Sequence, residues 1–263
     1  MIGRKLESFT AHNCTVRGLR IINSLDRTTF LQAREFFDRA IAEDANFVPP
    51  IAWAARWHSL SVGQGWSVNP TEDRAKAIEL AANAVDLDPQ SALALATFAH
   101  LRAYLLHDYD SALAYFERAL AAGPRHSLAW LLSAGTLSYI GQTKKAVEHA
   151  ERGLRLSRRS RGLHYYHMFL SLAHYADGAF EQAAKQGRIA LRMNPTYTAT
   201  HRLLAATLVA TRNFTEAREV ATAMLKEEPN FQLSTYVHTR QPFRLPSLRD
   251  RLMDDLRRAG FPD

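Results

Sequence analysis

One spacing recurs along this chain and constrains its fold more than any other feature: a small residue, a small or aromatic residue four positions on, and a small residue three after that. It occurs six times, at Ala33, Phe37 and Ala40; Ala77, Ala81 and Ala84; Ala112, Phe116 and Ala119; Ala146, Ala150 and Gly153; Ala183, Gly187 and Ala190; and Ala217, Ala221 and Met224. Offsets of four and three keep these side chains on one face of an α-helix, and small side chains there let a partner helix approach closely. Five residues after each triplet stands a stop position, filled by Pro89, Pro124, Pro195 and Pro229 in four copies and by Ala45 and Arg158 in the first and fourth. Proline has no N–H to donate and ends the helix before it. From first alanine to first alanine the steps are 44, 35, 34, 37 and 34 residues, the period of a helix-turn-helix repeat.

Each of these helices follows another of similar length, across turns such as YIGQTKKA and YADGAFEQA in which Gly141 and Gly178 supply permissive backbone. Tyr109, Phe180 and Phe214 stand three residues before the first alanine of their copies and are expected to cover those turns. No alternating run of β-branched residues suggests a strand. The long first step is read as an insertion, SVGQGWSVNPTEDR, between the two helices of the second unit. Within it Asn69, Pro70 and Glu72 form a helix-start signature. Trp66 in the same loop is a candidate contact residue, with packing beneath the loop as its other reading.

In the fourth copy Trp130, Gly141 and Ala146 match the pattern of the tetratricopeptide repeat (TPR) family, which the chain resembles over roughly residues 13 to 235. The resemblance implies an all-α, right-handed solenoid of about six helix pairs, preceded by a tail over residues 1–12 and followed by a capping segment over 236–263 with a helix near Ser247 to Ala259. Three segments also resemble the repeat region of bacterial class III adenylate or guanylate cyclases and related winged-helix regulators. They are RKLESFTAHNCTVRGLRIINSLDRTTFLQAREFFDRAIAEDANF, WHSLSVGQGW and QPFRLPSLRDRLMDDLRRAGFPD. In that family the repeats follow a catalytic or DNA-binding domain, which implies a regulatory or scaffold role here. The paired metal-binding aspartates of a cyclase cannot be assigned, so cyclase activity is not carried over. A regulatory fragment whose catalytic half is encoded elsewhere is the alternative.

The balance of 33 Lys and Arg against 26 Asp and Glu leaves a net charge of +7, which suits acidic partners without demanding them. The basic run from Arg152 to Gly162 lacks interleaved aromatic residues and falls at a helix C-terminus, so a solvated helix end is favoured over nucleic-acid binding. A single cysteine, Cys14, fits a reducing compartment. The N-terminus lacks the apolar stretch of a signal peptide, and the most apolar segment, ALALATFAHLRAYLL, is too short and polar to span a bilayer. A cytoplasmic, non-membrane protein is expected.

Catalysis needs convergent groups, and no nucleophile–base pair, paired carboxylates or phosphate loop stands out; GQGW lacks the lysine of a phosphate loop. His164, His167 and His174 lie at helical spacings that could converge on a metal. The repeat register instead places His167 and His201 where Trp130 falls and puts His174 on the same seam, so they read as helix-interface residues. No enzyme activity, cofactor or metal is expected. The first helix of each unit lines the concave face of a stacked solenoid, which assigns Arg56, Thr97, Leu101, Tyr104, Leu131, Tyr165, Met168, Tyr175 and Arg202 to a partner-binding groove. The expected occupant is a protein or peptide segment, with the arginines favouring an acidic one.

Overall fold

The computed structural model describes residues 2–157 and 162–263, with side chains from Thr10 onward. Arg158, and with it Arg159 and the rest of the basic run up to residue 161, lies outside the described residues. The described residues form fourteen α-helices and no strand. Six antiparallel pairs come first: α1 (Ile2–Ile22) with α2 (Phe30–Glu43), α3 (Val48–Gln64) with α4 (Pro70–Leu87), α5 (Ala92–Leu106) with α6 (Tyr109–Ala122), α7 (Ser127–Tyr139) with α8 (Thr143–Leu156), α9 (Leu163–Ala176) with α10 (Phe180–Met193), and α11 (Thr198–Ala210) with α12 (Phe214–Glu227). A short α13 (Leu233–Thr239) and α14 (Pro246–Ala259) complete the chain.

The recurrent triplets are what holds each pair together. All of them lie on the second helix of a pair, and every member is buried. Gly153 shows why small residues are required: a Cβ there would sit 3.1 Å from the backbone nitrogen of Leu131 on α7. Met224 replaces a small residue and is still fully buried. Helix starts follow local chemistry. Asn69, Ser91 and Asp108 each accept a hydrogen bond from the backbone N–H three residues on, and the Glu72 carboxylate returns the contact to the Asn69 amide at 3.0 Å.

Two sequence expectations change. The presumed insertion is largely helix, because Ser61, Val62, Gly63 and Gln64 continue α3 as buried residues until Gly65, at φ 72°, ends it in the left-handed region. Only residues 65–69 form the loop. Trp66 is half-buried and meets the Phe30 ring edge-on at 5.0 Å, so it packs beneath the loop instead of offering a contact.

The stack also curves until its ends meet. The Gln64 side-chain oxygen accepts from the Thr198 backbone N–H (2.9 Å) and hydroxyl (2.8 Å), and Arg202 donates to the Gly63 carbonyl at 3.0 Å. Asn194 donates to the Ser24 carbonyl at 2.8 Å, and Arg27 to the Glu227 carbonyl at 3.0 Å. The first two pairs thereby touch the last two. Among the described residues no helix is long and apolar enough to cross a membrane.

Candidate functional site

The final helix packs on α11 and α12, covering the end of the stack. The segment leading to it takes a different path, across the concave face. Tyr109 donates its hydroxyl to the Pro242 carbonyl at 2.7 Å, the Arg244 backbone N–H donates to the Tyr139 carbonyl at 2.8 Å, and Arg74 donates to the Thr239 carbonyl. Phe243 is buried edge-on against Tyr139, 6.0 Å between ring centres. Leu245 passes so close over the turn at Gly141 that a Cβ there would lie 2.3 Å from its Cδ1. The concave face therefore holds a non-helical piece of its own chain.

Three arginines of this C-terminal segment continue the attachment at intervals of seven residues. Arg244 lies over Tyr109 at 5.8 Å, Arg251 over Phe180 at 5.6 Å, and Arg258 over Phe214 at 5.3 Å. Their aromatic partners occupy equivalent positions in three repeats, so the turn-covering aromatics of the sequence are also the docking points of the C-terminal segment. Tyr175 adds a buried hydrogen bond to Asp255 on α14, at 2.8 Å. Burial holds the Asp255 carboxyl above its ordinary range, against the lowering effects of the Tyr175 hydrogen bond and of Arg258 and Arg251.

Between the concave face and this segment lies a cavity of about 110 Å³. Its lining includes Arg56, Tyr104, Tyr165, Met168 and Arg202 of the expected groove. Thr97, Leu101 and Leu131 are instead fully buried between helices and do not line it, and Tyr175 lies beneath α14. On α5 the reason is angular: one residue is about 100° of helix rotation, so His100 and Tyr104 face the cavity while Thr97 and Leu101 turn into the core. His100, Tyr139, Tyr197, Tyr236, Arg240 and Phe243 also line the cavity and were not singled out from the sequence.

The three arginines around the cavity differ in their partners. Arg202 and Arg240 share the Glu228 carboxylate, at 3.4 Å and 2.6 Å. Arg202 is thus spent on structure, bonding Glu228, Thr198 and Gly63, and is not the free end of a trough awaiting an acidic segment. Arg56 is 4% exposed, lies over Trp53 at 5.2 Å and Tyr165 at 5.5 Å, and has no hydrogen-bond or ion-pair partner among the described residues. Burial, reinforced by Arg56, lowers His100 to about 3, so that ring is neutral.

The histidines of α9 disperse. His164 is buried edge-on against Tyr197 at 5.7 Å and lowered to about 4 by burial, and His167 bonds the Gln186 side chain at 2.8 Å. His201 is buried beside the Tyr197 carbonyl.

No protein-family model matches the chain, and no curated protein matches it. Solved structures do. It aligns with a chain of the APC/C hetero-tetramer Cut9–Hcn1 at 15% identity and TM-score 0.61, over 89% of this chain and 40% of that one. Human IFIT1, in a dimer with m7Gppp-AAAA, aligns at 16% identity and TM-score 0.63, over 82% of this chain and 50% of that one. TTC0263, a thermophilic TPR protein of Thermus thermophilus, aligns at 16% identity and TM-score 0.56, over 76% of this chain and 99% of that one. The chain thus spans half or less of the length of the first two, and the likeness is one of fold: an all-α solenoid of the tetratricopeptide-repeat type.

Proposed function

We propose that this chain is a non-catalytic binding module that takes a protein or peptide segment on its concave face. One observation carries this reading: the concave face already holds a non-helical segment, residues 240–245, through hydrogen bonds to the main-chain groups of Pro242 and Arg244 and to Thr239 just before it, and an aromatic seat for Phe243. Main-chain hydrogen bonds with side-chain pockets are how extended peptides are captured in general. A partner segment of similar chemistry, with an apolar ring and a basic residue, would enter by exchange with the resident one. The TPR-type fold supports the reading, since stacked helix pairs present a preorganised surface that lowers the cost of ordering a ligand.

A regulatory or scaffold role in a cyclase-like signalling system, in the cytoplasm, is the finer form of this proposal and rests on the sequence resemblance. Nucleic-acid binding is the second reading. It is favoured by the net charge of +7 and by the likeness to a protein solved with capped RNA. The test is capture of peptides from a synthetic array by the full chain, compared with its Tyr104→Ala, Tyr165→Ala double variant and its Arg158→Ala, Arg159→Ala double variant. Loss of about 2–4 kcal/mol in the tyrosine pair with little change in the arginine pair is expected. The reverse pattern in folded variants, with salt-dependent oligonucleotide binding, would favour the basic surface.

A further inference from the structure

We propose that the cavity between the concave face and the C-terminal segment is a binding site for a small aliphatic carboxylate, held by the guanidinium of Arg56. A buried cation with no acceptor is costly and is retained in folds mainly where something else compensates for it. The two neighbouring arginines show what a structural arginine looks like here, since both bond Glu228. Among the described residues Arg56 has no such acceptor, and its Nε is buried without a hydrogen bond. Its guanidinium carbon lies 5.2 Å from the Trp53 ring centre and 5.5 Å from that of Tyr165, and aromatic rings offer its N–H groups no carboxylate or carbonyl acceptor.

The rest of the lining selects the ligand. The hydroxyls of Tyr104, Tyr139 and Tyr197 border the same space and make no hydrogen bond among the described residues, so they are further donors for an oxygen anion. Arg56, Arg202 and Arg240 line the cavity, only the latter two are paired with a carboxylate, the single Glu228, and His100 is neutral, so the site carries excess positive charge. Met168, Phe169 and Phe243 supply an apolar wall for a hydrocarbon body. A single unpaired guanidinium matches a carboxylate through two parallel hydrogen bonds. At about 110 Å³ the space is smaller than the roughly 150 Å³ cavity that accepts benzene, which limits the ligand to about half a dozen non-hydrogen atoms.

This site does not depend on the partner-binding reading. A ligand there touches both walls, so it also fastens the C-terminal segment to the concave face. The probes are isobutyrate, its neutral counterpart isobutanol, inorganic phosphate and a short acidic peptide, each titrated into the full chain by calorimetry. Isobutyrate is expected to bind once per chain with a dissociation constant of about millimolar or below and to raise the melting temperature, while isobutanol binds at least about tenfold more weakly. Arg56→Met should lower isobutyrate affinity by about tenfold or more while leaving the ligand-free protein as stable as the parent or more so, because the uncompensated charge is gone. Tyr104→Phe should weaken binding about threefold with the fold intact. Equal binding of isobutanol, tighter binding of phosphate, binding of the acidic peptide without isobutyrate, or an Arg56→Met chain that unfolds or loses stability would each overturn the assignment.

Discussion

Phe116 shows how much one side chain of the repeat can carry. It is 2% exposed and occupies the middle position of its triplet, where the other copies have a smaller or equal side chain. Phe116→Ala should therefore cost about 3–5 kcal/mol, from lost burial and the cavity left behind; chemical denaturation giving less than about 1 kcal/mol would contradict this packing. Asp255 behaves in the opposite sense. Its pKa is raised in the folded protein, first by burial, so the folded state binds its proton more readily than the unfolded chain does. Its charged form is a stability penalty that is fully present above the raised folded-state pKa and disappears below the ordinary carboxyl value. Asp255→Asn keeps an acceptor for the Tyr175 hydroxyl and removes the charge. The variant should match or exceed the parent in stability near neutral pH, and the difference should vanish as the pH is lowered through the acid range. A variant less stable at neutral pH, with the gap widening upward, would show that the charge itself is needed.

At the scale of elements, the paired helices were legible in the sequence because the requirement for close approach writes itself into residue size at fixed offsets. Ala112, Phe116 and Ala119 need no knowledge of the partner helix to be placed on the buried face. The concave face was harder to read, since first helices are buried on nearly every side; α5 carries apolar residues on all its faces, so its periodicity does not distinguish Tyr104 from Leu101. The course of residues 240–245 was not legible at all, because its partners stand far away in sequence, Tyr109 being 133 residues from Pro242. A signal for its docking was present in the seven-residue spacing of Arg244, Arg251 and Arg258, each meeting an aromatic residue. Such pairs contribute about 0.5–1 kcal/mol each at exposed sites. Most of the attachment of α14 comes instead from its buried Leu248, Leu252, Met253 and Leu256. Ending the chain after Arg240 should expose the matching face of α11 and α12, lower the melting temperature and increase binding of a hydrophobic dye. A truncated chain as soluble and stable as the parent would refute the covering role of α14.

For the whole molecule, the governing feature is closure. The contacts of Gln64 with Thr198 and of Arg202 with Gly63 turn an open stack into a ring, and the C-terminal segment then crosses its interior. A solenoid whose repeats touched only their neighbours would present an open groove, whereas under the two proposals this one binds by exchange or admits a small molecule beneath its C-terminal segment. Both consequences depend on residues 240–245 being seated on the concave face in solution. The Arg244 backbone N–H tests this directly, because the segment is not helical and its protection comes from the Tyr139 carbonyl at 2.8 Å. Native-state hydrogen exchange should show this amide protected by several kcal/mol, comparable with amides of the helices it crosses. Exchange at the rate of an unstructured peptide, with the helices still protected, would mean that the segment is free and the concave face open.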